Sequence, residues 1–184
     1  MGTSKRTGGP RGTGPSPYVT EAGYRLLGEE LDGLWARRRD VVTHLAAAAA
    51  EGDRSENAEY IYRKKQLREI DRRIRYLQRR LPELKPVPSR SGTSERVYFG
   101  AWVTVEDEAG ATACYRIVGS DEIDAAREWI SVDSPMARAL MGREIGDEVH
   151  VRTPSGDVVR FVLAVEFEDR GPVPGGDSPG RAVE

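Results

Sequence analysis

The sequence predicts an α+β chain, with an N-terminal antiparallel α-helical coiled-coil hairpin followed by a small antiparallel β domain carrying one short helix. Three observations lead there. Apolar residues recur at steps of three and four through two successive segments, then switch to steps of two. A proline- and serine-rich stretch, residues 86–95, falls at the switch. The charge balance inverts across it. From Arg54 to Arg80 ten basic residues stand against four acids, whereas from Glu95 to Phe167 seven arginines stand against fourteen acids.

Residues 1–17 are glycine-rich and proline-rich with almost no apolar side chains, which predicts a disordered tail. A helix is expected from Thr20, whose hydroxyl can cap it. Tyr24, Leu27, Leu31, Leu34, Val41 and Leu45 form its heptad seam, with Arg38 filling one apolar slot. Ala46 to Ala50 adds high helix propensity with little bulk, suited to a closely packed end. After Gly52 a second helix carries Leu67, Ile70, Ile74, Leu77, Leu81 and Leu84, until Pro82, Pro86 and Pro88 stop it. Two such helices joined by a short connection fold back on each other, so residues 18–85 are read as a rod with its tip near Glu51 to Glu56.

Beyond the linker, Val97, Phe99, Ala101, Val103 and Val105 alternate as a strand. Cys114 to Val118 reads as its return and Trp129 to Val132 as a short strand. Ser134-Pro135 reads as the start of a helix running to Met141. Glu148 to Arg152 and Val158 to Val165 flank a turn at Pro154 to Asp157 and complete a domain over residues 96–167. Residues 168–184 again have tail composition.

Composition excludes several classes. No stretch approaches the ~20 apolar residues of a membrane helix, and Met1 to Pro17 lacks the apolar core of a secretory signal. Cys114 is the only cysteine, so an internal disulfide and a multi-cysteine zinc site are impossible, and a cytoplasmic chain is expected. His44 and His150 are too few for a histidine cage. Glycine-rich phosphate loops and the serine-nucleophile elbow are absent.

Two features carry chemistry. At the tip, Asp53 and Glu56 are three apart on one face of a helix start. The pair reads as a capping box. It also reads as two hard oxygen ligands that would bind Mg²⁺ weakly and need a partner to complete the site. Along the second helix Arg63, Lys64, Arg68, Arg72, Arg75 and Arg79 include many three- and four-step neighbours. That is either a solvated helix face or a stripe for phosphate contact. Tyr60 and Tyr62 near the tip are able to stack on a base or simply pack.

The tip segment GDRSENAEY (Gly52 to Tyr60), continuing into IYRKKQLREIDRRIRYL (Ile61 to Leu77), resembles the bacterial transcript cleavage factors of the GreA/GreB family, nearer the GreB-type branch. YVTEAGYRLLGEEL, FGAWVTVED, YRIVGSDE and ISVDSPMARALMGREIGD carry the likeness across about residues 18–167. The resemblance implies a coiled-coil domain and an FKBP-like β domain. It implies a factor that is not itself an enzyme. By this likeness the β domain docks on RNA polymerase at the rim of the secondary channel, with Ser134, Pro135 and Met136 as the polymerase contacts. The coiled coil enters the channel, and Asp53 and Glu56 are the tip acids that help hold the second Mg²⁺ and place the attacking water. The basic face, with Arg63, Lys64, Arg68, Arg72, Arg75 and Tyr60, would contact the displaced RNA 3′ portion. A cytoplasmic monomer is expected. Alternatives are a channel-binding inhibitor of the same fold, a peptidyl-prolyl isomerase, and a plain nucleic-acid-binding coiled coil.

Overall fold

The computed structural model describes residues 14–50, 58–153 and 156–167. They form two compact units: Val19–Pro86, and the described residues up to Tyr18 together with those from Val87 onward.

The first unit is the helical hairpin. A short strand β1 (Tyr18–Thr20) leads into α1 (Glu21–Ala50), which is followed by α2 (Ala58–Arg80), a 3₁₀ turn at Leu81–Glu83 and a strand β2 (Lys85–Val87) paired with β1. Thr20 caps α1 as its type predicts, its hydroxyl oxygen accepting from the Gly23 N–H at 2.9 Å. With 30 residues α1 is about 45 Å long. The seam residues meet in two patches. Val19, Leu27, Leu77 and Leu84 are buried together at the β1–β2 end. Val41, Ile70 and Ile74 are buried farther along, and Leu31 and Leu34 touch both patches. Ala48 is buried toward the other end.

Polar pairs flank the seam. Arg38, in its apolar slot, donates from Nε to Asp71 Oδ1 at 2.7 Å. On the other flank Arg73 grips Glu30 through two bonds of 2.7 Å, Nε to Oε1 and Nη2 to Oε2. These pairs are half-exposed, so their main effect is to fix the register of the helices.

The second unit is a five-stranded sheet, β3 (Trp102–Glu106), β4 (Thr112–Val118), β5 (Trp129–Ser131), β6 (Glu148–Thr153) and β7 (Gly156–Glu166), in the order β5-β4-β3-β7-β6. All pairings are antiparallel except β4 with β5. One face, with Val103, Val105, Ile117, Val149, Val151, Val162 and Val165, closes over Ala137 and Leu140 of α3 (Pro135–Leu140) to form a single core.

Three local results differ from the expectation. The alternation from Val97 does not make one continuous strand: Gly100 takes a left-handed φ of 87° and β3 begins only at Trp102. Val97 is still fully buried, bonding instead to the turn after α3 (Val97 N–H to Arg143 O, Gly142 N–H to Val97 O). Second, the pairing of β3 with β7 shifts between Thr104 and Val105, so that Ala164 faces Thr104 while Val162 faces Val105. Leu163 is the extra residue, half-exposed, and the bulge turns both Val162 and Val165 inward although they are three apart. Third, the linker 86–95 is bound to the sheet at its far end. Ser94 N–H donates to Val165 O, and Gly92 O accepts from Phe167 N–H.

Candidate functional site

The basic helix α2 presents its charge in two ways. Lys64, Arg68, Arg72, Arg75 and Arg79 follow one another at steps of four, four, three and four, so all five fall within an arc of about 80° turned away from the seam. All are exposed, and none forms an ion pair among the described residues. Among the described residues their side-chain hydrogen bonds run back to their own helix, Arg68 Nε to Lys64 O at 3.3 Å and Arg79 Nε to Arg75 O at 3.4 Å. Three other arginines of α2 serve the hairpin. Arg73 holds Glu30, Arg80 is buried beside Glu83, and Arg63 donates to Glu59 at 2.6 Å and to Gln66 at 3.3 Å.

Arg63 therefore sits apart from the stripe. It lies four residues before Leu67, in phase with the seam, and its side chain is 26% exposed. The heptad phase was the available signal, since position 63 continues the 67-70-74 series. Tyr60 is half-buried, with the Lys64 ammonium 5.7 Å from its ring centre. Tyr62 is 58% exposed, and Arg63 lies 5.5 Å above its ring. The cations beside both rings use the attraction of a ring face for positive charge.

Asp53 and Glu56 lie in residues 51–57, between the end of α1 and the start of α2, outside the described residues. Among the described residues no group of three or more His, Cys, Asp and Glu side chains could hold a metal ion. The tip pair offers carboxylate oxygens with no softer donor, which is the ligand chemistry of a hard cation that keeps most of its waters.

In the sheet unit, Ser134 caps α3, its Oγ accepting from the Ala137 N–H at 3.1 Å. Pro135 opens the helix at an exposed position, and Met136 is partly buried against the core. These three expected contact residues thus have three different local duties, and Pro135 is the one presented to solvent.

Composition gave no sign of what holds this corner. Asp133 Oδ2 accepts from Ser120 Oγ and from the backbone N–H of Ser16, each at 2.7 Å. Ser131 Oγ accepts from the Asp133 N–H at 3.0 Å and lies 3.1 Å from Ser120 Oγ. Ser16 falls in the segment whose composition predicts a disordered tail, and the carboxylate that secures it lies 117 residues along the chain.

Across the outer face of the sheet, the registers Trp102↔Arg116 and Arg116↔Trp129 set one guanidinium between two indoles, at 5.7 and 4.8 Å from their centres. Cys114 is partly buried, His44 is exposed, and the exposed His150 lies 3.0 Å from Glu148.

Two family models match the chain. Residues 17–85 match "Transcription elongation factor, N-terminal" and residues 92–167 match "Transcription elongation factor, GreA/GreB, C-term". The chain is 55% identical over 159 residues to the transcription elongation factor GreB of Pseudomonas aeruginosa, covering 86% of this chain and 95% of that protein. It is 52% identical over 154 residues to GreB of Pasteurella multocida, covering 83% and 98%. Among solved structures it is similar to the GreA factor homolog 1 protein of Thermus thermophilus, with 26% identity over 81% of this chain and 97% of that one, at a TM-score of 0.37.

Proposed function

The chain belongs to the GreA/GreB family of transcription elongation factors, and we propose that it enters the secondary channel of RNA polymerase with its coiled coil and stimulates the polymerase's own cleavage of RNA in backtracked, arrested complexes. The observation that carries this reading is the pairing of an acidic tip with an exposed basic helix. Asp53 and Glu56 lie in the segment joining α1 to α2, and the stripe from Lys64 to Arg79 follows along α2. A long two-helix hairpin can bring that tip to a centre that a globular body could not reach.

In this reading the chain has no nuclease activity alone. Mg²⁺ held by the polymerase would supply the Lewis acid for phosphodiester hydrolysis, and this reading requires that a second ion there needs further ligands. Asp53 and Glu56 would supply carboxylate oxygens to that ion and would accept hydrogen bonds from the attacking water, orienting it toward the phosphorus. If Glu56 also closes a capping box, it would have to give up that bond, because one carboxylate cannot fully serve both. Arg68, Arg72 and Arg75 hold phosphates of the displaced RNA 3′ portion, and Lys64 with Tyr60 lies nearer the tip. Pro135, on the corner braced by Asp133, meets the polymerase at the channel rim.

Each tenfold gain in cleavage corresponds to about 1.4 kcal/mol of barrier, so two well-placed carboxylates are enough for a large effect. The test is a purified backtracked elongation complex with the full chain added. Cleavage should rise with the wild type and fall at least about tenfold with Asp53→Asn or Glu56→Gln, while affinity for the polymerase is kept. Equal stimulation by wild type and variants would overturn the mechanism. Slower elongation with no added cleavage would instead identify a channel-blocking inhibitor.

A further inference from the structure

Trp35 is a large aromatic that α1 leaves 37% exposed, on a helix whose other surface residues are mostly charged or small. Leu27, Leu34, Val41 and Ala48 repeat every seven residues toward α2, and Trp35 lies about 100° round the helix from them. The two cross-helix ion pairs show which side this is. Arg38–Asp71 marks one flank of the seam and Glu30–Arg73 the other. Trp35 is one turn from Arg38 and on its flank. On α2, moving round the helix from the seam past Asp71 leads to Lys64 and Arg75, then to Arg68, Arg79 and Arg72. Because the helices run antiparallel, the turn of α1 before Arg38 lies level with the turn of α2 after Asp71. Trp35 and Arg75 are therefore at one level on one side of the hairpin.

The indole is also backed by charge. The Arg38 guanidinium carbon lies 5.8 Å from the Trp35 ring centre, while Arg38 itself is anchored to Asp71. A supported ring with an open remainder, beside a row of cations that no described carboxylate neutralises, suits a ligand with a flat apolar face and regular negative charge. A single-stranded nucleic acid has both, whereas a duplex hides its base faces in the stack.

We infer that Trp35, with Arg38 behind it, is a stacking platform for an unstacked base of single-stranded RNA whose phosphates lie on the Lys64–Arg79 stripe. This rests on the RNA contact proposed above and adds a residue on the opposite helix. Stacking and phosphate contact are separable because they respond differently to salt. Phosphate contacts release counterions and set the slope of log affinity against log salt, and stacking contributes nothing to that slope.

The experiment measures binding of the full chain to a labelled oligouridylate of about ten nucleotides, between about 50 and 200 mM salt. Trp35→Leu should weaken binding at least about fivefold with the slope unchanged, and Trp35→Phe should recover most of the loss. Trp35→Gln is measured in parallel, and each variant must keep the wild-type helical signal. Arg75→Gln should lower the slope by about 0.7. Wild-type affinity in both Trp35→Leu and Trp35→Gln, or a change of slope in them, overturns the inference. An unchanged slope in Arg75→Gln overturns the stripe reading instead, and no RNA binding by the wild type overturns both.

Discussion

The hairpin and the sheet unit solve the problem of burial in opposite ways. The sheet unit gathers twelve buried side chains into one cluster closed by α3. The hairpin divides its main burial into clusters of four and three along one seam and leaves most of the rest of both helices to solvent. A two-helix hairpin exposes most of its surface, so its stability rests on a few contacts, each with little redundancy. A sheet closed by a helix can bury its residues in three dimensions, where each contact is shared with many neighbours.

The largest expected effect breaks this contrast most directly. Leu77 is fully buried in the seam, and Leu77→Ala should cost about 2–5 kcal/mol. Since the two units have separate cores, helicity should melt early while amide protection in β3, β4 and β7 stays as in the wild type. Leu140→Ala, in the sheet core, should do the reverse at a similar cost. If both variants lower both transitions together, the units fold as one and the division fails.

The same contrast explains what could be read from sequence. A seam has one period, so the series from Leu67 to Leu77 was sufficient to locate α2 and to show that its back carries the cations, whereas Leu81 and Leu84, expected in the same helix, lie past its end at Arg80 in a 3₁₀ turn and its extended cap. Even there, charge alone groups Arg63 with the stripe, while its heptad phase places it with the seam. The sheet was legible only in outline. Alternation located the strands, but the bulge that lets Val162 and Val165 share one face comes from pairing with β3, which no local pattern encodes. The bond from Ser16 to Asp133 is longer-ranged still. For the tip acids the chain pattern and the family likeness remain the basis, since residues 51–57 lie outside those described.

A smaller effect sharpens the view of the sheet unit as a platform. Ser134→Ala removes the cap of α3 and should destabilise that unit by about 1 kcal/mol, read from its denaturation midpoint. Pro135→Ala, at an exposed position, should change stability by less than about 0.5 kcal/mol. It should nevertheless weaken binding to RNA polymerase. If Pro135→Ala binds like the wild type, the docking surface lies elsewhere on the unit. If Ser134→Ala loses binding in proportion to its stability alone, the serine acts only as a cap.

The smallest effects lie in the hairpin's cross-helix pairs, and their order is the informative quantity. Arg38 meets Asp71 through a single Nε–Oδ1 bond, whereas Arg73 meets Glu30 through two parallel bonds. A planar fork matched to a carboxylate gains more for the same loss of side-chain freedom. Both pairs are partly solvated, at 36% and 29% exposure for one and 41% and 37% for the other, so neither should exceed about 1 kcal/mol. Double-mutant cycles on hairpin stability should give the larger coupling for Arg73–Glu30, and raising salt toward about 1 M should shrink both. A larger coupling for Arg38–Asp71 would mean that its place in the seam matters more than its geometry. That pair would then be an element of the hydrophobic contact, and Trp35, stacked on the same guanidinium, would owe its position to the seam as well.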